Sequence, residues 1–537
     1  MSLVLFLVIA SLGALASLAL RGRRRAGTLV GLGAVALALL ALMISTPDTE
    51  VAVGGGTVAL TAYARLLLGV ALAGGLGVLV VGRLAAWEQV GPGVLLVAVA
   101  GTGLALGIAG ALPALLAVGA AATLTAAAAL AQPATPERVR ALAREARGAV
   151  VAMTVGIVAV SLVPEEIGGL AVQPQVAGLA TVAAGIALGH RFGAIPLHAR
   201  VARLTDAAPP STLPALLVLL PAAWAVILLG WAPDTLGPVE HLLGWDGALL
   251  VALGIATMLV GAFAALIQDD LGRVVAYTIV LDAGVVILGF AALDPAGRDA
   301  VRAWLLPFLA TRTALVGWTI AFRAAFGTTR ISESRGWLRR APALGAALVG
   351  IAAAAVGWPG VMVWDARLAA FGAATDGPAL LLASIAGLGT AVALARVLGA
   401  GFGRPEARVV AATGELARVP AGLRAAARAA RSPAGRRLAT LRLASRELRP
   451  LLELNRTPLR AFLVVLLAGL ALMTAAGAFG IPEAAAAPDL APPEQAAPAP
   501  GLAGGPAATE GRAAGLVATE GPDPPGADPP PSGSPAP

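Results

Sequence analysis

Between residues 2 and 479 the chain alternates long apolar runs with short polar interruptions. The runs fall near 2–20, 27–44, 64–82, 92–108, 112–131, 149–164, 174–190, 212–231, 248–267, 274–293, 301–326, 341–373, 378–400 and 459–479. Most hold roughly 18 to 22 residues rich in Ala, Leu, Val and Gly, enough to cross a bilayer core about 30 Å thick. Lipid-facing backbone must satisfy its own hydrogen bonds, and barrel-like alternation is absent, so each run predicts a helix. The pattern therefore predicts an all-α polytopic membrane protein of about fourteen helices. Residues 341–373 form one broken helix in this reading, with the break near 357–367. The run at 2–20 is read as the first membrane helix, because no A-x-A-like cleavage site precedes a soluble domain and a second run follows directly.

The polar interruptions test this count. Alternate connections carry arginine: Arg21, Arg23, Arg24 and Arg25; Arg83; Arg138, Arg140, Arg144 and Arg147; Arg191, Arg200 and Arg203; Arg273; Arg330, Arg335, Arg339 and Arg340. The connections between them are acidic or neutral, with Asp48 and Glu50, Glu165 and Glu166, Asp234, Glu240 and Asp246, and Asp376. By the positive-inside rule, both termini lie outside the cytoplasm of a multi-pass protein of the inner (plasma) membrane.

Composition agrees: 58% of residues are hydrophobic and 13% charged, where soluble proteins are close to a quarter charged. The chain has no cysteine, which excludes disulfides and cysteine-ligated clusters within it. Its basic side chains are all arginine, a group that keeps its proton in proteins. The arginines sit at membrane borders and not in a soluble basic domain, so nucleic acid is not an expected partner and the lipid bilayer is.

Residues 1–402 read as the membrane core. From 403 to 458 runs a basic cytoplasmic connection with an amphipathic helix, and Arg404–Arg460 holds 13 Arg against 4 Glu. That composition suits contact with anionic lipid heads or with a docking protein. A last membrane helix spans 459–479, and 480–537 is a Pro-, Ala- and Gly-rich tail too poor in large apolar groups to bury a core.

Charges inside membrane helices are expensive and mark functional candidates. The predicted helices bury Asp282, Arg312, Asp365 and Arg367. Opposite charges on different helices suit pairing, Asp282 with Arg312 for example. Such charges either hold the bundle together as ion pairs or line a polar axis for protons or cations. GWPGVMVWDARLAAF (357–371) adds Gly357, Pro359 and Gly360, which break a helix at mid-membrane, where transporters expose backbone dipoles to an ion path. RFGAIPLHARVARLTDAAPPSTLP (191–214) predicts a short cytoplasmic connector with His198 at the membrane surface, a structural group or a proton entry point. Pro209, Pro210, Pro214 and Pro221 then interrupt the next span.

These segments resemble a known family. PLHARVARLTDAAPPS (196–211) is similar to the "P-F/L-H-x-W-L-P-D-A-x-x-x-A-P" segment of the antiporter-like membrane subunits of respiratory complex I (NADH-quinone oxidoreductase), shared with Mrp-type cation/proton antiporters and membrane hydrogenases. Pro196, His198, Ala208 and Pro209 match, while Arg200 and Ala202 replace Trp and Pro. IQDDLGRVVAYTIVLDAGVVILG (267–289) resembles "L-Q-x-D-L-K-R-x-x-A-Y-S-S-I-x-H-x-G" through Gln268, Asp270, Leu271, Arg273, Ala276, Tyr277 and Gly284. GWPGVMVWDARLAAF resembles "G-I-P-x-x-x-G-F-x-x-K-x-x-x-F" with Arg367 at the lysine, and Arg396 matches the "Y-Y-L-R" ending that follows. The resemblance spans about residues 64–400 and fits the subunit N-like branch by length.

The resemblance implies an antiporter-like fold and a mid-membrane proton path of a glutamate, lysines and a histidine. This chain departs from it. LLAVGAAATLTAAAAL (115–130) carries no acid, the lysine expected after Pro210 falls near Leu220 or Pro221, Asp282 replaces the histidine or lysine, and Arg367 the last lysine. The leading expectation is a membrane subunit contributing to redox-coupled proton or cation translocation beside other membrane subunits of a respiratory-type complex. The alternatives are a scaffold subunit that has lost the relay, and a stand-alone cation/proton antiporter. No cofactor is expected in this chain, and any oxidoreductase activity would belong to the complex.

Overall fold

In a computed structural model, the structure describes residues 3–47, 50–53, 56–85, 91–131, 135–163, 172–237, 245–403 and 458–480. Glu165, Glu166, Asp48, Glu240, the basic connection and the tail named above lie outside them. An opening helical pair, α1 (Leu3–Ala19) and α2 (Arg24–Ile44), precedes a short antiparallel hairpin of β1 (Val51–Val53) and β2 (Gly56–Val58). Then come α3 (Ala62–Leu84), α4 (Pro92–Gly107), α5 (Ala111–Leu130), α6 (Pro136–Leu162), α7 (Pro174–Phe192) and the short α8 (Ala199–Ala207). The second half holds α9 (Leu220–Thr235), α10 (Trp245–Ile267), α11 (Leu271–Ala291), α12 (Pro295–Phe326), α13 (Pro342–Val356), α14 (Met362–Ala374), α15 (Gly377–Gly387) and α16 (Gly389–Phe402), and α17 (Pro458–Ala475) ends the described chain.

Among the described residues eleven helices are long and apolar enough to cross a membrane, against the fourteen expected; Pro92–Gly107 and Pro342–Val356 are shorter apolar helices. Their starts follow local chemistry. Thr61, Thr135, Asp270 and Asp294 each accept a backbone N–H in the first turn of the helix they precede. Proline stands at the start of several others, where its missing N–H leaves no bond unmade. The break at 357–361 is present as expected: α13 ends at Gly357 (φ 71°), and α14 resumes after Gly360 (φ 88°). The span after Pro209 is also irregular, running through a 3-10 turn (Pro210–Thr212) and a wider π turn (Pro214–Leu219) before α9.

Burial sorts the helices. The span at 210–235 is buried throughout, and α11 and α12 nearly so, whereas only 33–39% of α1, α2 and α17 is buried. α10 and α11 touch backbone to backbone. A Cβ on Gly284 would lie 2.5 Å from the Gly254 carbonyl, and one on Gly261 2.4 Å from the Leu281 nitrogen. Trp318 stacks on Phe322, and Trp337 meets both edge-on, with centroids 4.9–5.6 Å apart; both indole N–H groups donate to backbone carbonyls, of Leu344 and Val397. These contacts fix the central helices that carry the buried charges.

Candidate functional site

The first buried charge cluster sits half-way along α11 and α12. Arg312 forks onto Asp282, its Nε donating to Oδ2 and its Nη2 to Oδ1 at 2.8 Å; Nη2 also reaches Thr390 Oγ1 at 3.3 Å. The two side chains are 3% and 4% exposed. This is the bidentate geometry in which a planar guanidinium matches a carboxylate. Arg312 Nη1 is buried with no protein partner among the described residues. α16 supplies Thr390 from the first turn after the break at Leu388.

Arg367 extends the cluster. It lies within electrostatic reach of Asp282 and donates to two backbone carbonyls, Val356 at the end of α13 and Gly387 at the end of α15. Its guanidinium also lies 5.4 Å from the centre of the Trp364 ring. The C-terminal end of α13, where the chain breaks at Gly357, carries partial negative charge, so a cation there is stabilised by that helix dipole. Gly357, Pro359 and Gly360 act indirectly by ending α13 where that carbonyl is needed.

Asp365 corrects the expectation. The sequence placed it inside the bundle with Arg367, but its side chain is exposed. Residues two apart on a helix point about 200° away from each other, so burying Arg367 turns Asp365 outward.

A second cluster was not anticipated. Glu145 of α6 is 1% exposed and accepts from two arginines: Arg191 Nη1 at 3.0 Å and Arg200 Nη1 at 2.5 Å. Arg200 Nη2 also donates to the Arg191 carbonyl at 2.5 Å. Arg191 is fully buried, and its Nε and Nη2 find no protein partner among the described residues. The sequence treated Arg191 and Arg200 as connection arginines and began the helix at 149. The structure starts α6 at Pro136 and brings both arginines inside. A legible signal existed: Leu142, Glu145, Ala149, Ala152, Gly156 and Ala159 fall at helical spacing on the buried stripe. Asp246, read as an outer connection acid, is likewise buried, in the first turn of α10.

His198 is half-buried beside α8, its ring 6.5 Å from that of Tyr277 and its Nδ1 without a protein partner among the described residues. Tyr277 lies five residues before Asp282 on α11, about 7.5 Å along its axis. The Asp270 motif has an architectural part: Asp270 caps α11 and accepts from Thr329, and Arg273 pairs with Asp206 at 3.1 Å on the surface. Arg396 donates to the Leu266 and Gln268 carbonyls, fastening α16 to the end of α10. Among the described residues no group of three or more His, Asp or Glu is arranged to hold a metal ion.

Residues 175–393 match the family model "NADH:quinone oxidoreductase/Mrp antiporter, TM". That stretch includes Asp282, Arg312 and Arg367, while Glu145 precedes it. NADH-quinone oxidoreductase subunit N of Halorhodospira halophila is 30% identical over 235 residues, 42% of this chain and 48% of that protein. The chain thus spans about half the length of that curated relative. The Mrp complex of Dietzia sp. DQ12-45-1b contains a chain that superposes with a TM-score of 0.64 at 19% identity, covering 88% of this chain and 97% of that one. Respiratory complex I of Thermus thermophilus contains another, with a TM-score of 0.60 at 19% identity, covering 87% and 97%. The protein has the multi-pass, antiporter-like membrane fold of those chains.

Proposed function

We propose that this protein is a membrane subunit of an NADH-quinone oxidoreductase-type complex and contributes to redox-coupled proton translocation. The observation that carries the reading is the Asp282–Arg312 pair, buried at the midpoint of two central helices, with the broken helix bringing Arg367 beside it. A bundle that needed only apolar packing would not place two charges there. Guanidinium N–H groups on Arg312, Arg191 and Arg200 that have no protein partner among the described residues offer donors to water, the medium a proton path requires. His198, Asp282, Arg312 and Arg367 are the proposed path residues. The arginine-rich ends face the cytoplasm, both termini lie on the other side, and redox cofactors belong to partner subunits. Asp365 leaves the path because it faces outward.

A second reading, a scaffold that keeps the fold without conducting, is favoured by a different observation. All four oxygens of Glu145 and Asp282 are held by guanidinium groups, as in permanent structural pairs. One experiment separates the two: proton uptake per electron in NADH-energised inverted membrane vesicles of the host, comparing wild type with Asp282→Asn and Arg367→Ala after assembly is verified. Reduced stoichiometry in Asp282→Asn supports conduction, and unchanged stoichiometry supports the scaffold.

A further inference from the structure

The outward face of the broken helix combines two features that lipid does not tolerate. α13 has 15 residues and α14 has 13, so the break between them lies about 20 Å from either end of the pair, near mid-membrane. Arg367, within reach of Asp282 at the middle of α11, gives the same depth independently. At that depth Trp358, Pro359 and Gly360 are exposed, with Trp358 at 52%. Non-helical backbone at membrane depth persists where protein or a water-filled cavity covers it, not where lipid does.

Asp365 lies on the same outward side. Along α14 the exposed positions are Asp365, Leu368, Ala369 and Gly372, spaced as one helical stripe, while Val363, Ala366, Arg367, Ala370 and Phe371 face inward. The Asp365 carboxylate has no hydrogen bond or ion pair among the described residues, and it is the sole charge on the stripe. A Cβ on Gly372 or Gly360 would meet nothing within 4 Å, so another backbone has room to approach closely. A carboxylate facing hydrocarbon costs several kcal/mol unless a partner covers it.

We infer that this face, Trp358 to Gly372, is a subunit interface, and that it seats a transmembrane helix of a neighbouring membrane subunit bearing an arginine or lysine opposite Asp365. Charge complementarity selects the basic helix over an apolar one. The inference rests on the proposed membership of a multisubunit complex and names the surface through which that membership is made.

The test uses the complex in its host membrane. Trp358 is replaced by p-benzoylphenylalanine, the membranes are irradiated, and the adduct is mapped by mass spectrometry. Alongside, Asp365→Arg and Asp365→Leu are compared with wild type for the amount of intact complex on native gels. The expected adduct joins a membrane helix of another subunit within one turn of an Arg or Lys. Asp365→Arg lowers intact complex at least tenfold, and reversing the partner's basic residue to Asp restores it. Asp365→Leu inserts as well as wild type yet still weakens the complex, which separates assembly from folding. An adduct to lipid or to this chain's own remaining segments, or full assembly of Asp365→Arg, overturns the interface while leaving the complex intact. A chain that migrates alone before any substitution overturns the functional reading itself.

Discussion

The Glu145–Arg191–Arg200 cluster leads to a sharp energetic expectation. Glu145 pairs with two arginines, one of them fully buried and held at 3.0 Å. Glu145→Gln removes the charge but keeps the shape, and leaves Arg191 as an uncompensated buried cation. Breaking a buried pair in this way costs about 3–5 kcal/mol. Arg191→Met, which keeps the apolar stem, leaves the carboxylate paired with Arg200 and is expected to cost less, about 1 kcal/mol. Once Arg191 is gone, Glu145→Gln no longer strands a fully buried cation, and Arg200 keeps its bond to the residue 191 backbone carbonyl. The double variant is therefore expected to cost no more than Glu145→Gln alone, giving a coupling energy of about 1 kcal/mol or more. Unfolding in mixed SDS and mild-detergent micelles, followed by tryptophan fluorescence, measures all three variants. Effects that add to within about 0.5 kcal/mol would refute the cluster as a coupled unit.

Other positions give distinct expectations. Gly261→Ala places a methyl 2.4 Å from the Leu281 backbone nitrogen and should force α10 and α11 apart, lowering the yield of folded protein, whereas Gly372→Ala, with open space around it, should not; fluorescence-detected size exclusion compares them. Gly357→Ala should destabilise more than Gly360→Ala: both sit at positive φ and lose about 1–2 kcal/mol on that account, but only the first also meets Val363 Cγ1, at 2.5 Å. Shifts in melting temperature in detergent rank the two. Arg273→Ala, which breaks a surface pair exposed at both ends, should cost less than about 1 kcal/mol in the same assay, and a larger loss would show that the α8–α11 link bears more than its exposure suggests.

Much of the architecture was readable because the membrane enforces it. Apolar runs of spanning length became helices, Pro359 between two glycines broke one, and two charges in separate central runs, Asp282 and Arg312, found each other. What was not readable concerns rotation about helix axes. Asp365 and Arg367 share a run and a short spacing, so hydropathy treats them alike, yet the helical period sends one inward and the other outward. Arg191 and Arg200 suffered the converse error. Near the end of an apolar run an arginine reads as a border marker, and the acid that draws it inward lies 46 residues earlier for Arg191, in a segment that looked like connection. The buried stripe of α6 was present in the spacing, but its polar opposite face lowered the hydropathy enough to hide the helix's first three turns.

Arg367 carries a mechanical consequence. Its guanidinium holds the last carbonyl of α13 and the last carbonyl of α15, so the ends of two separate half-helices share a single counter-charge. Displacing either carbonyl relative to the other would pull the side chain away from one of its two acceptors. The broken helix and the helix beside it are thereby tied together by one residue, and that residue also senses the charge on Asp282.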